Sequence, residues 1–179
     1  MILRTIDIIE QADKFLDVAL YSIGPDYNDG FYVGKIISDD ELMKKLFPKE
    51  AVTAIVNSAF SCELYLKSML NDGIIIRNHE LMYLFGKLDD RWKKVIMQLM
   101  KYKNTETFEH FLNKISDAFE KWRYIYEKEN EEKKIYFAFL KDLVITLKKV
   151  SYGKYYYEQN CIEKIDEEIL EILNCKMIK

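Results

Sequence analysis

Glycine and proline are scarce in this sequence, and their scarcity is the feature that most restricts its fold. Only 6 of the 179 residues are Gly and 2 are Pro, whereas 49% are hydrophobic. Both residues interrupt helices and mark turns, so a chain with so few of them favours long helices over short strands joined by turns. A chain of this length also buries a core without disulfides or metal ions. The sequence therefore predicts an all-α protein.

Hydrophobic periodicity predicts where the helices lie. Apolar residues recur at helical spacing in five long segments, which are residues 2–21, 48–72, 105–130, 133–150 and 161–175. Shorter helices are predicted after Asn78, a residue typical of N-caps, and over 90–102. Four residues, Ser38 to Glu41, fit a capping box before a further short helix.

The order of these segments predicts a single helical domain. No internal repeat, low-complexity tract or linker divides the chain, and Gly-rich residues 24–34 form a short irregular loop insertion after the first helix. We expect one domain over 1–179, an up-and-down helical bundle with its core over about 48–150. The N-terminal helix 2–21 and the C-terminal helix 161–175 are expected to pack on that core.

Charge, cysteine content and hydropathy exclude several classes of protein. The net charge is −3, which argues against a strongly basic nucleic-acid-binding protein, although a local basic patch is compatible with it. Three cysteines without a C-x-x-C pair are typical of reduced, buried thiols rather than of a disulfide framework or a zinc site. There is no apolar run near the ~20 residues of a membrane span. We predict a cytoplasmic protein without membrane contact, bound metal or cofactor.

Arg123 interrupts an apolar helix face. Phe119, Trp122 and Tyr126 recur at helical spacing, and Arg123 follows Phe119 by four residues on the same face. A guanidinium in apolar surroundings is costly unless an acceptor pairs with it. The sequence therefore predicts a carboxylate partner for Arg123 on a neighbouring helix.

Glu63 is the predicted partner of Arg123. It lies three residues before Leu66, at the border of the apolar stripe of the 48–72 helix, so face-to-face packing of the two helices brings it to Arg123. Lys67, four residues after Glu63, is placed to pair with the same carboxylate. In the alternative interpretation, Glu63 and Arg123 both reach the surface and their stems cover the core.

The histidines and a tyrosine-rich segment are the remaining candidates. His79 stands at the start of a helix, where histidine is typically a first-turn surface residue or a hydrogen-bond partner, and His110 flanks an aromatic stripe. Their spacing indicates no metal site, and no glycine-rich phosphate loop, nucleophile elbow or zinc-protease motif occurs. Lys154 is flanked by Tyr152, Tyr155, Tyr156 and Tyr157, and packing against the core is favoured there over a base-stacking surface.

Three motifs in order resemble a known family. The segment NSAFSCELYLKSML contains Glu63 and Lys67 as E-x-x-x-K, NHELMYLF starts with His79, Glu80 and Leu81, and AFEKWRYIYE contains Arg123. Over about residues 48–130 the chain is similar to HEPN domains, the "higher eukaryotes and prokaryotes nucleotide-binding" helical bundles. The resemblance implies an up-and-down bundle that dimerises through these helices, and many members are metal-independent ribonucleases of toxin–antitoxin, CRISPR or phage-defence systems.

The chain departs from the nuclease members of that family at one point. In those members a His follows the Arg by four to six residues, and the two residues act together in a composite site between two protomers. Here Lys128, Glu129 and Asn130 stand in that region, and Tyr124 replaces the polar residue that follows the Arg. Metal-free RNA cleavage needs a group that exchanges protons near neutral pH, which His does and Lys or Glu does only after a large pKa shift.

Three hypotheses about function follow. In the first, the chain is a non-catalytic HEPN-like binding or regulatory module, a homodimer carried by phages, mobile elements or defence operons. A polar notch then binds a nucleotide, an RNA end or a partner protein, and its residues are Glu63, Lys67, His79, Arg123 and Tyr126. In the second, Arg123 and His79 or Tyr126 are catalytic residues of a metal-independent ribonuclease. In the third, the Glu63–Arg123 pair fixes helix register in a structural dimerisation protein.

Overall fold

The computed structural model describes residues 4–23, 48–70, 76–119 and 137–174. Within these ranges it contains seven α-helices and no strand, which confirms the predicted all-α helical bundle. The helices are α1 (Thr5–Ile23), α2 (Pro48–Met69), α3 (Leu81–Lys87), α4 (Asp90–Leu99), α5 (Thr105–Ile115), α6 (Phe137–Glu158) and α7 (Glu167–Asn174). The predicted loop over 24–34 and the capping box at Ser38 lie outside the described residues.

The three longest helices pack against one another and form the centre of the bundle. Helix α1 contacts α2 along its length, and both contact α6. Helix α1 buries Ile9, Ala12, Leu16 and Ala19, a stripe at helical spacing. Ile9, Leu16 and Ala19 agree with the apolar face expected from the spacing in 2–21, whereas Phe15, next to Leu16, is only half-buried.

Helix α3 receives its N-terminal cap from a distant part of the chain. The backbone N–H of Leu81 donates to the carbonyl of Ser116 at 3.0 Å, and that of Met82 donates to the Ser116 hydroxyl at 2.9 Å. The first amides of a helix have no partner within it, so Ser116 satisfies two of them. The sequence predicted one uninterrupted helix over 105–130, and this prediction is wrong at Ser116. Helix α5 ends at Ile115, and the turn at Ser116 and Asp117 provides the cap of α3.

Aromatic side chains fill the space between α5, α6 and the turn before α5. Tyr102 lies edge-on to Phe108, Phe111 and Phe139, with ring centroids 5.5 to 6.1 Å apart. Such edge-to-face pairs place the positive ring edge of one residue against the negative face of another, and they add to the stabilisation from burial. The cluster fixes the turn at Tyr102 relative to α6.

The C-terminal helix packs closely on α6 at a glycine. A Cβ atom on Gly153 would lie 2.8 Å from Ile169 Cδ1, so the absence of a side chain lets α7 approach, and Ile169 is fully buried there. The helix predicted over 161–175 begins later than expected. A 3-10 turn covers Ile162–Lys164, and α7 starts after Asp166, whose carboxylate accepts from the Glu168 N–H at 3.0 Å.

The tyrosine-rich segment belongs to α6 rather than following a helix. The helix continues to Glu158, and Tyr152, Tyr155 and Tyr156 are half-buried against the core. Tyr157 is more exposed, and the Arg91 guanidinium lies 5.2 Å from its ring centre. This arrangement agrees with the packing interpretation of the segment.

None of the helices in the described ranges is both long enough and apolar enough to cross a bilayer.

Candidate functional site

Glu63 is a buried carboxylate on the core side of α2. Only 1% of the residue is exposed, and its neighbours along the helix face, Ala59 and Leu66, are also buried. The sequence placed Glu63 at the border of the apolar stripe, and the structure places it inside the bundle. Burying a carboxylate is costly unless hydrogen bonds replace those it made to water. The partners of its two oxygens therefore decide what this position does.

One carboxylate oxygen accepts from two donors. Lys67 Nζ and His79 Nδ1 each lie 2.8 Å from Glu63 Oε1. The Lys67 contact is the i, i+4 pair that the spacing predicted, whereas His79 arrives from the segment before α3. An ionised carboxylate only accepts hydrogen bonds, so Nδ1 of His79 carries a proton and donates.

Among the described residues, the second oxygen of Glu63 has no such partner. Oε2 is buried, and the residues that the structure describes provide no hydrogen bond to it. An unsatisfied buried acceptor of this kind costs about 1–3 kcal/mol or more for a charged group. Because most buried polar atoms in proteins are satisfied, an unpartnered carboxylate oxygen is a feature that needs a donor from elsewhere.

His79 lies on a short extended segment between α2 and α3. The Asn78 side chain accepts from the Glu80 N–H at 2.7 Å and fixes the turn before α3, which starts at Leu81. The helix therefore begins later than the Asn78 N-cap predicted. About 47% of the His79 side chain is exposed, in contrast to the Glu63 carboxylate that it contacts. The imidazole thus joins the buried carboxylate to the surface of the bundle.

The five residues of the predicted notch are not all within the described ranges. Glu63, Lys67 and His79 come together in one cluster, which we call the Glu63 cluster. Arg123 and Tyr126 lie outside the described residues, so the Glu63–Arg123 contact stays a prediction. His110 is exposed on α5 beside the ring of Phe111.

A second, partly buried polar network was not predicted from the sequence. The Asp13 carboxylate on α1 accepts from the hydroxyl of Tyr65 and, at 2.8 Å, from the hydroxyl of Tyr152, and Lys148 lies 3.1 Å away. Burial, followed by the hydrogen bond to Asp13, raises the pKa of both tyrosines. Tyr65 and Tyr152 are 52 and 139 residues from Asp13, so no local pattern could have indicated the contact.

In the described part of the chain, the cysteines and the possible metal ligands do not form a reactive site. Cys62 is fully buried, and burial raises the pKa of its thiol, which makes it unreactive. Cys161 is partly exposed rather than buried as expected. In the four described ranges, no group of three or more His, Cys, Asp or Glu side chains is arranged to hold a metal ion.

No protein-family model, curated protein or solved structure matches this chain.

Proposed function

We propose that this chain is a non-catalytic, HEPN-like binding module of a phage, mobile-element or defence system, cytoplasmic and homodimeric, whose Glu63 cluster binds a nucleotide or the end of an RNA strand. The observation that carries the proposal is the buried Glu63 Oε2, which has no hydrogen-bond donor among the described residues while Oε1 accepts from both Lys67 and His79. One oxygen of Glu63 has two donors and the other has none among the described residues, which favours a ligand that donates a hydrogen bond to Oε2.

The lone pairs of Glu63 allow both a protein partner and a ligand. A carboxylate has about four acceptor positions, two on each oxygen. Lys67 and His79 occupy those of Oε1, so Oε2 can accept from the Arg123 guanidinium predicted from the sequence and from one ligand group. A ribose hydroxyl or a base N–H is a suitable donor. The Arg123 prediction and the ligand proposal are therefore compatible.

The cationic members of the cluster suit a phosphorylated ligand. Lys67 has three ammonium N–H groups, one of which is used by Glu63, and about 18% of its side chain is exposed. The half-exposed His79 ring adds a second nitrogen, Nε2. An acceptor for a hydroxyl beside donors for a phosphate is the combination that a nucleotide requires.

Calorimetric titration with mononucleotides and short single-stranded RNA tests the proposal. We expect Glu63→Gln to weaken binding about tenfold or more, since a hydrogen bond to a charged acceptor contributes about 1.5–3 kcal/mol. Glu80→Gln is the matched control, because Glu80 is exposed and adjacent to His79 in sequence. Equal affinity in the wild type and folded Glu63→Gln contradicts the proposal.

A second experiment, on stability, separates ligand binding from a purely structural Glu63–Arg123 pair. If Arg123 serves only to satisfy Glu63, Arg123→Ala destabilises the protein and Glu63→Gln in the same chain removes much of that loss. A double-mutant cycle on the free energy of unfolding measures this coupling. Strong coupling without nucleotide binding by the wild type supports the structural hypothesis instead.

A metal-independent ribonuclease is the second candidate, and the Glu63–His79 contact favours it. With Nδ1 of His79 donating to Glu63 Oε1 at 2.8 Å, Nε2 is the nitrogen left to exchange a proton with substrate. Cleavage of RNA in EDTA by the wild type, lost in folded His79→Ala and Arg123→Ala, establishes this activity and overturns the non-catalytic proposal. Circular dichroism of each variant controls for folding.

Light scattering of the purified protein tests the homodimer. A molecular mass near twice the 21.4 kDa of one chain supports it, and a monomeric mass at all concentrations contradicts it.

A further inference from the structure

A groove rich in lysine lies where α4 is followed by α5. It encloses about 770 Å³, a size typical of ligand sites. Its lining contains four lysines and two carboxylates, together with apolar atoms of Phe85, Met97 and Tyr102. The charged residues are Lys93, Lys94, Lys101, Lys103, Asp90 and Glu109. We refer to this feature as the lysine groove.

The lysine groove has a net positive lining, because four lysines face two carboxylates, Asp90 and Glu109. Lys93 pairs with Asp90 at 3.1 Å. The other three lysines, Lys94, Lys101 and Lys103, are exposed and form no ion pair within the described part of the chain. Like charges that share a concave surface raise its potential and attract anions. The groove is therefore a local basic site on a chain whose net charge is −3.

Lys101 is held in the groove by an unusual backbone conformation. Its φ is 61°, in the left-handed region. The N–H of Tyr102 donates to the carbonyl of Met97 at 2.8 Å, and that of Lys101 donates to Gln98 at 2.9 Å. This pair of bonds ends α4 with a Schellman motif, in which the left-handed residue is usually glycine because a Cβ atom is disfavoured there.

The end of α6 provides a comparison within the same chain. Asn160 has a φ of 56°, and Cys161 donates to the carbonyl of Tyr156 at 2.9 Å, so the same motif is used. Asparagine tolerates the left-handed region, whereas a long side chain such as lysine gains nothing from it. Residues held in conformations that their side chains disfavour cluster at functional sites, so the backbone of Lys101 motivates a functional hypothesis. The left-handed conformation therefore does not account for a lysine at position 101, and we look for the reason in the charge of its side chain.

The lysine groove lies close to the Glu63 cluster. His79 precedes Leu81 by two residues, and Phe85, which lines the groove, follows one turn later on α3. Two extended residues and one helical turn span at most about 13 Å. The chain path thus places Phe85 of the groove within that distance of His79, a length that a strand of a few nucleotides would span.

We infer that the lysine groove binds the phosphate backbone of single-stranded RNA, as the continuation of a strand whose end lies in the Glu63 cluster. The inference rests on the proposed function for the position of that end. Lysine contacts to phosphate are independent of base sequence, and the apolar floor accommodates the less polar faces of the nucleotides. Each RNA nucleotide combines a hydroxyl that can donate to Glu63 Oε2 with a phosphate for the lysines, and an acidic peptide is the alternative that polyglutamate tests.

Substitution of Lys101 gives a test in which stability and binding change in opposite directions. Lys101→Gly removes the Cβ atom from a left-handed residue, so we expect a higher midpoint of unfolding. It also removes a phosphate contact, so affinity for a labelled RNA of about ten nucleotides falls two- to fivefold. A loss of binding in a more stable protein cannot result from misfolding.

Charge-matched variants extend the test to the whole groove. Lys94→Gln with Lys103→Gln is expected to weaken RNA binding further and to reduce the slope of log K against log salt by about 0.7 for each lysine. Lys14→Gln with Lys114→Gln removes the same charge from exposed positions outside the groove and leaves the affinity unchanged. Unchanged affinity in the groove variants, or tighter binding of polyglutamate than of RNA, overturns the inference.

Failure of the inference is distinguishable from failure of the proposed function. A mononucleotide occupies only the Glu63 cluster, so its affinity should respond to Glu63→Gln and not to the groove variants. The oligonucleotide should respond to both. If only the groove variants weaken the oligonucleotide, the proposed function of the Glu63 cluster fails while the groove remains an RNA site.

Discussion

His79 Nδ1 donates to Glu63 Oε1 at 2.8 Å, joining a half-exposed imidazole to a buried carboxylate 16 residues earlier in the chain. Lys67 donates to the same oxygen from the next turn of α2. The three residues thus form a cluster in which the only buried member is the one that accepts. The stability of the cluster is therefore expected to depend on that carboxylate.

Removal of the Glu63 carboxylate is expected to destabilise the protein. Glu63→Ala leaves Lys67 and His79 without their acceptor, and it opens a cavity in the core. Both partners are partly exposed and regain water, so we expect a loss of about 1–3 kcal/mol in the free energy of unfolding. Urea denaturation measures it, with the exposed Glu80→Ala as control. An unchanged midpoint for Glu63→Ala is incompatible with the cluster.

The Asp13 network predicts a loss of stability at alkaline pH. Burial and the hydrogen bonds to Asp13 raise the pKa of Tyr65 and Tyr152. A raised folded-state pKa gives stability that is complete below the unfolded value, about pH 10, and is lost as the pH rises above it. Unfolding free energies on both sides of that pH, with tyrosinate absorbance, measure the effect.

Tyr152→Phe provides the control for that prediction. It removes one of the two perturbed phenols, so the stability of the variant should fall less steeply with pH than that of the wild type. Parallel curves for the two proteins show that the loss arises elsewhere in the molecule.

The Ser116 hydroxyl is expected to stabilise the start of α3. Ser116→Ala removes the acceptor of the Met82 N–H, while the backbone carbonyl still accepts from Leu81. Loss of a helix cap typically costs about 1 kcal/mol. Faster hydrogen exchange at the α3 amides reports the change. Ser22→Ala, which removes an exposed hydroxyl bonded within α1, should have little effect, and equal effects of the two changes contradict the cap.

Burial of Lys141 is expected to make the free energy of unfolding rise with pH over a different interval. Burial lowers the pKa of this lysine on α6 to about 8. Between about pH 8 and the unfolded value near 10.4 the unfolded chain binds more protons, so stability increases with pH across that interval. Lys141→Met retains a long side chain without the charge and should flatten the increase. A wild-type profile that is already flat there contradicts the prediction.

Helix positions were predicted well where local pattern alone determines them. The start of α2 at Pro48 and the buried positions Ile55, Ala59 and Leu66 follow from helical periodicity and from the place that proline takes in a first turn. The end of α5 was missed. Its turn at Ser116 is stabilised by hydrogen bonds to α3 from more than 30 residues away, and periodicity contains no information on them.

The sequence by itself determined that this protein is helical, and it determined the Glu63–Lys67 pair, because scarce glycine, helical periodicity and an i, i+4 spacing are all local properties. Only the tertiary structure decided that Glu63 is buried, that His79 contacts it and that one groove is lined by three lysines without an ion pair among the described residues. One residue of helix rotation turns a side chain by about 100°, and that rotation is set by packing between segments distant in sequence.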